Sequence, residues 1–315
     1  MISCTFRAFF YFTLSVLPFT GLSGTGTTTD SVLSAYEDSL CMFTPLVLNS
    51  KTDSEKMFFN DRVTALLLKA LERDNSFFYS FDKVKSMAIL SSPDKRFRIF
   101  NWHLPENAGS YRYFGIIQFY DKKSERSFVY ELQDKSGLPE DWSKRSVTGE
   151  RWYGAHYYRI ILSKRKGVRY YTLLGWKGYN SRTTKKVIDV MIITNPPDSY
   201  RGYRDYIPIF GAPVFTCGKD TTSRRIIFEY SAMVSMSVQW DEKKKRIVFD
   251  HLSPGKPEYA GNYEFYGPDF SCDAFKFKRG RWTLIEDVDA RNPEDKKSKK
   301  TKIPEKGLLP EKTKK

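Results

Sequence analysis

From about Phe77 to Asn292, apolar and polar positions alternate with a period near two. Short runs rich in aromatic and β-branched residues are separated by charged turns. This is the pattern of antiparallel strands. The candidate strands are Ser86–Ser91, Arg96–His103, Tyr111–Tyr120, Ser127–Leu132, Tyr157–Ser163, Val168–Trp176, Lys186–Ile193, Tyr206–Phe210, Arg224–Ser231, Met233–Trp240, Arg246–Asp250, Tyr263–Phe265, Ala274–Lys278 and Trp282–Glu286. The links Ser92–Lys95, Asp121–Ser124, Lys164–Gly167, Asp241–Lys244 and Lys278–Gly280 have hairpin length, and Gly167 and Gly280 supply positive φ at no steric cost. Longer irregular stretches at Ser136–Glu150, Asn195–Arg204 and His251–Asn262 are where a site on such a scaffold would lie.

Ahead of Phe77 the apolar spacing lengthens. Phe59, Val63, Leu66, Leu67, Ala70 and Leu71 form one stripe at helical period, with Asp53 or Ser54 as its cap, Glu55 in the first turn and Arg73 in the last. An earlier helix, capped by Asp30 or Ser31, would hold Val32, Leu33, Tyr36, Leu40 and Phe43 and end at Pro45 and Asn49–Ser50. The predicted fold is therefore mainly β, in the α+β class. A linker and helical hairpin (25–76) covers an antiparallel meander (77–293), sandwich-like or strongly curled, with a small propeller as the alternative.

The two ends read differently. Arg7, the apolar run Ala8–Phe19 and the small and polar residues through Gly24 follow the order of a secretory signal peptide over 1–24. The run is too short to span a bilayer, so no transmembrane helix is expected in the mature chain. No Asn-x-Ser/Thr acceptor occurs, which favours a bacterial, periplasmic or extracellular setting. The formal net charge is +15, of which the Lys-rich tail Glu294–Lys315 carries +5. That tail has almost no apolar content and is expected to be disordered. The basic body and its many aromatic residues would suit nucleic acid, but no nucleic-acid module is present and export argues against it. Cysteine usage is sparse, at Cys4, Cys41, Cys217 and Cys272. A disulfide, if formed, would join Cys217 to Cys272; buried thiols are the preferred reading.

No P-loop, dinucleotide fingerprint, G-x-S-x-G elbow or H-E-x-x-H motif occurs, and the three histidines, His103, His156 and His251, have no metal-ligand spacing. No metal and no cofactor is expected. The densest polar cluster holds Asp250, His251, Asp269, Asp273, Asp287 and Asp289. Paired carboxylates there could attack a glycosidic bond, Asp250 could orient His251, or the acids could surround Ca²⁺. The plainer reading is hydrogen bonding to adjoining turns. Of the six tryptophans, most are expected in the core; Trp102 and Trp176, with Tyr266, are the candidates for a ligand platform.

The phrases Arg98–Trp102, Tyr171–Trp176, Phe228–Ala232, Phe249–Leu252, Phe265–Asp269 and Asp287–Asn292 make the segment 95–293 resemble an uncharacterised group of secreted bacterial β-rich proteins. The resemblance implies export and supplies neither an activity nor catalytic residues. The expectation is an exported, non-catalytic binding or structural protein of the cell envelope, with polysaccharide or an envelope protein as partner. The alternatives are a glycan-directed hydrolase using the acids of 250–292 and a helper in envelope assembly.

Overall fold

The computed structural model describes residues 25–194, 206–217 and 220–289. The segment 1–24 read as a signal peptide, the whole Asn195–Arg204 loop and the basic tail lie outside the described residues. Two helices, α1 (Thr25–Asn49) and α2 (Asp53–Leu71), precede three sheets. The first sheet holds β1 (Ala88–Ser91), β2 (Phe97–Pro105), β3 (Tyr111–Asp121) and β4 (Arg126–Gln133), in sequence order. The middle sheet holds β5 (Val147–Thr148), β6 (His156–Arg165), β7 (Val168–Gly178), β8 (Thr183–Thr194) and β9 (Ile207–Phe210), in the order β5-β9-β8-β7-β6. After β10 (Phe215–Cys217) and β11 (Asp220–Ser223), β12 (Arg225–Ser231) returns to pair with β8. The remaining strands are β13 (Val238–Asp241), β14 (Arg246–Pro254), β15 (Tyr266–Lys278) and β16 (Arg281–Ile285). They complete a third sheet in the order β11-β10-β16-β15-β14-β13. Pairing is antiparallel except between β10 and β16.

Strand alternation stacks these layers. On β2, Phe97 and Ile99 face the middle sheet, where they pack with Tyr157, Tyr171 and Leu173. Phe100, Trp102 and Leu104 face the helices and meet Leu33, Leu40, Val63 and Leu67. On β7, Tyr171 and Leu173 point to the first sheet, while Leu174 points to the third and joins Ile188, Phe249, Phe275 and Trp282. The first and third sheets thus lie on opposite faces of the middle one. The arrangement is a layered stack, and no barrel closes among the described residues. A ring of propeller blades does not describe it.

Several elements depart from the sequence reading. Pro45 does not end α1, which runs on to Asn49. Burial of Val47 two residues later rewards continuation, and Asn49 Nδ2 donates to the Pro45 carbonyl at 3.0 Å. The cap of α2 is Thr52, not Asp53 or Ser54. Its Oγ1 accepts from Glu55 N at 3.2 Å, and Glu55 Oε2 accepts from Thr52 N at 3.1 Å, a reciprocal capping box. Arg73 falls beyond the C-cap Glu72, leaving Lys69 as the basic residue of the last turn. Thr52→Ala should cost about 1 kcal/mol, read as a lower urea midpoint; an unchanged midpoint would show that the box contributes nothing.

Tyr263–Phe265 is a 3₁₀ turn, and the strand expected over Met233–Trp240 is formed only as Val238–Asp241. The loop expected from His251 starts only after Pro254, because β14 and β15 stay paired through Pro254 and Tyr266. Cys41 and Cys272 are free thiols, so Cys217 and Cys272 are not bridged. Among the described residues, no helix is long and apolar enough to cross a membrane.

The helices are fastened to the first sheet by buried polar groups. Arg98 donates from Nε to Gln118 Oε1 at 2.9 Å and from Nη1 and Nη2 to the Tyr79 and Ser76 carbonyls. Gln118 Nε2 in turn donates to the Leu71 carbonyl at 3.1 Å, satisfying an acceptor at the end of α2. Glu37 of α1 accepts from Tyr79 Oη at 2.6 Å and Lys83 N at 2.8 Å.

Candidate functional site

The acids singled out from the sequence mostly tie strands and turns together. Asp250 Oδ2 accepts from Ser237 N at 2.7 Å. Asp269 Oδ1 accepts from Ser271 N and Oγ, which holds its carboxyl below the usual range. Asp273 Oδ1 accepts from Asp287 N at 3.0 Å, and the Asp289 carbonyl accepts from Arg246 Nη2 at 3.0 Å. One convergence does occur. The β14–β15 register shifts beyond Asp250, and Phe270 adopts φ 71° and is thrown into solvent. Asp273 Oδ2 then lies 2.8 Å from His251 Nδ1, and Asp269 Oδ2 lies 4.0 Å from Nε2. The hydrogen bond from Asp273 and the neighbouring negative charges raise the His251 pKa. The imidazole is 49% exposed on an open sheet surface. None of these acids lines the cavities described below. No group of three His, Cys, Asp or Glu side chains among the described residues is arranged to hold a metal ion, so the Ca²⁺ arrangement is not formed there.

Of the three platform candidates, Trp102 is buried under α2. Its Nε1 donates to Asn60 Oδ1 at 2.8 Å and its ring stacks on Phe114, so it is a core residue and not a platform. Tyr266 accepts from Gly261 N through its hydroxyl and so braces its own loop. Trp176 lines a cavity.

That cavity, about 410 Å³, lies at one end of the middle sheet, between Tyr111 of β3 and the link from β12 to β13. Register sets two of its lining side chains side by side, since Trp176 is opposite Lys186 on β8; His156 on β6 and Phe228 on β12 continue the row outside the lining. Directly opposed residues share a face, so the three strands carry an imidazole, an indole and an ammonium in one row. Tyr111 closes one side, and Tyr230 with the exposed segment Ala232–Ser235 closes the other. Gly178 makes the close approach of Tyr111 possible, since a Cβ there would lie 2.5 Å from the Tyr111 ring. Behind Trp176, His103 sits 5.4 Å from the indole and 5.3 Å from the His156 ring. No Asp or Glu lines the cavity.

A second cavity of about 430 Å³ lies across Tyr111 and Gly178. Its lysines are already engaged. Lys177 is 4% exposed, donates to Ser136 Oγ and the Gly154 carbonyl, and rests 4.0 Å from the centre of the Tyr113 ring. Burial pushes its pKa down to about 8. Lys185 pairs with Glu229 at 3.0 Å and covers Tyr179. Lys186 differs. Burial lowers its pKa, its nearest aromatic is the Tyr158 ring at 5.0 Å, and no hydrogen bond or ion pair engages its Nζ among the described residues.

Tyr111, Lys186 and Tyr230 were not singled out from the sequence. The available signal was the Lys185–Lys186 pair leading into the apolar run Val187–Ile193, which places an ammonium at the rim of a buried strand. The chain matches no protein-family model, no curated protein and no solved structure.

Proposed function

We propose that this is an exported, non-catalytic binding protein of the bacterial cell envelope that holds a glycan in the Trp176 cavity. The observation that carries the reading is the half-buried indole of Trp176 in a 410 Å³ cleft with tyrosine side chains on two sides. Apolar faces combined with a few convergent polar groups define a ligand pocket, and a flat indole offers a stacking surface for a sugar ring at low entropic cost. Asn180 and Ser235 line the cavity and supply groups suited to hydroxyls: Asn180 Oδ1 is engaged by Arg182 N and Thr183 N, which leaves its amide NH₂ as a donor. Export rests on the N-terminal pattern and on the resemblance to secreted β-rich proteins. The hydrolase alternative draws no support from the acids of 250–289, which serve strands and turns at an open surface.

The test is a glycan and envelope-fraction binding screen, followed by titration of each hit into the wild type and Trp176→Ala. A loss of affinity of about tenfold or more in the variant, equal to about 1.4 kcal/mol, is expected. Equal affinity in a folded variant would place the ligand elsewhere.

A further inference from the structure

We infer that the glycan taken by the Trp176 cavity is acidic, with a sugar carboxylate seated on Lys186 Nζ while the ring lies against Trp176. The inference rests on the glycan reading of this cavity and adds the charge of the ligand.

Three observations converge. The first is a contrast among neighbouring lysines on the same two strands. Lys177 and Lys185 each have oxygen partners within 3.0 Å, whereas Lys186 has only an aromatic neighbour. A partly desolvated ammonium without an oxygen partner is unfavourable in the free protein, and an incoming anion relieves that cost. The second is the lining: Asn180, Ser235, Thr184 and the tyrosines are neutral, and no carboxylate competes for the cation. Glu229, opposite Lys185 and so on the other face of β8 from Lys186, is bound by Lys185 and by Thr183 Oγ1 at 2.7 Å. The third is the number and type of cation. A single ammonium with no arginine beside it in the lining matches one monoanionic oxygen pair, not the several charges or guanidinium fork that recognise phosphate. Register fixes the spacing, because Trp176 and Lys186 are directly opposed across β7 and β8. The anionic substituent and the ring it belongs to are therefore read by adjacent side chains on one face.

The experiment uses the full chain at near-physiological salt, so that the general attraction of a +15 protein for polyanions is screened. The probes are trigalacturonate, its methyl ester and a neutral trisaccharide, titrated calorimetrically into the wild type, Lys186→Gln and Lys244→Gln. Lys244 is an exposed lysine of the β13–β14 turn and serves as the charge control. Trigalacturonate should bind about 10–100-fold tighter than its ester to the wild type and to Lys244→Gln, and the preference should vanish in Lys186→Gln. A thermal melt gives an independent readout: removing an unpaired cation leaves Tm unchanged or raised, whereas a structural lysine would lower it. Equal binding of acid and ester, or a preference that survives Lys186→Gln, overturns the inference. Binding of the neutral trisaccharide alone overturns it too but leaves the glycan reading standing. Failure of every oligosaccharide, including the hits of the glycan screen, removes both.

Discussion

Replacing Asp189 with alanine is expected to destabilise the protein by about 3–5 kcal/mol, measured as a drop in the free energy of unfolding in urea. Asp189 and Arg225 are paired at 2.7 Å with both side chains fully buried. The pair is the hub of a network that joins four parts of the middle sheet. Asp189 Oδ1 accepts from Gly211 N at 3.0 Å, and Oδ2 accepts from Arg225 Nε and, at 3.4 Å, from Tyr157 Oη. Tyr157 Oη itself accepts from Trp152 Nε1, and Arg225 Nη1 donates to the Trp142 carbonyl. Gly211 can serve because its φ of 77° suits glycine, and a Cβ there would lie 2.4 Å from the Arg145 carbonyl. Alanine at 189 strands a guanidinium in the core and leaves the Gly211 N–H and the Tyr157 hydroxyl short of an acceptor. The double variant Asp189→Leu with Arg225→Met should recover part of the loss, since a buried pair exchanged for apolar groups is often neutral. A loss below about 1 kcal/mol in the single variant would mean that water or a rearranged acid replaces the carboxylate.

This hub marks the limit of what the sequence discloses. The hairpins were legible because their determinants are local. The turns at 92–95, 121–124, 164–167, 241–244 and 278–280 each join antiparallel neighbours. Non-local pairings were not legible. β5 and β10 have two and three residues and are defined by partners far along the chain, β9 and β16. The same holds for the site. Asp269 could be read as turn chemistry from Gly267 and Pro268 beside it, whereas Asp250 and Asp273 lie within β14 and β15, and the structure places each of the three carboxylates on a backbone N–H. The row His156, Trp176 and Lys186 follows from the consecutive strands β6, β7 and β8, but Phe228 and the cavity wall at Tyr230 join it only once β12 has returned to β8. The apolar run of β8 was a partial clue. Val187, Ile188, Val190 and Met191 are consecutive or nearly so because both faces of the middle sheet are covered, and a strand buried on both sides loses its alternation.

Acidification from neutral pH to about pH 4.5 should lower stability by about 2–3 kcal/mol through His103 and His156 alone. Burial, aided by the neighbouring His156, pushes the His103 pKa from 6.5 down to about 4, and burial lowers that of His156 as well. Both Nδ1 atoms are buried without a hydrogen-bond partner, so protonation would create an N–H with no acceptor. The groups facing His103 are the rings of Tyr111, Tyr113, His156 and Trp176. None of them is an anion that would favour the imidazolium. A depressed folded-state pKa fixes the sign. The contribution is fully present above 6.5 and is lost as the pH falls towards 4, because the unfolded chain takes up protons that the folded chain refuses. For His103 alone the full loss would be roughly 3 kcal/mol. His251 acts in the opposite sense. Its raised pKa gives a contribution present below 6.5 and lost as the pH rises through its folded value, but its exposure keeps that contribution small. Carboxylates with lowered values, such as Glu106 and Asp269, lose their contributions only below their unfolded values of 4.5 and 3.8. Urea melts at about pH 7 and about pH 4.5 on the wild type and on His103→Gln with His156→Gln isolate the pair. The wild type should lose about 2 kcal/mol more than the double variant, and equal losses would defeat the prediction. Since the His103 ring packs against Trp176 and His156 lies directly opposite Trp176 on β6, the same acid step should loosen the indole and weaken ligand retention in the cavity.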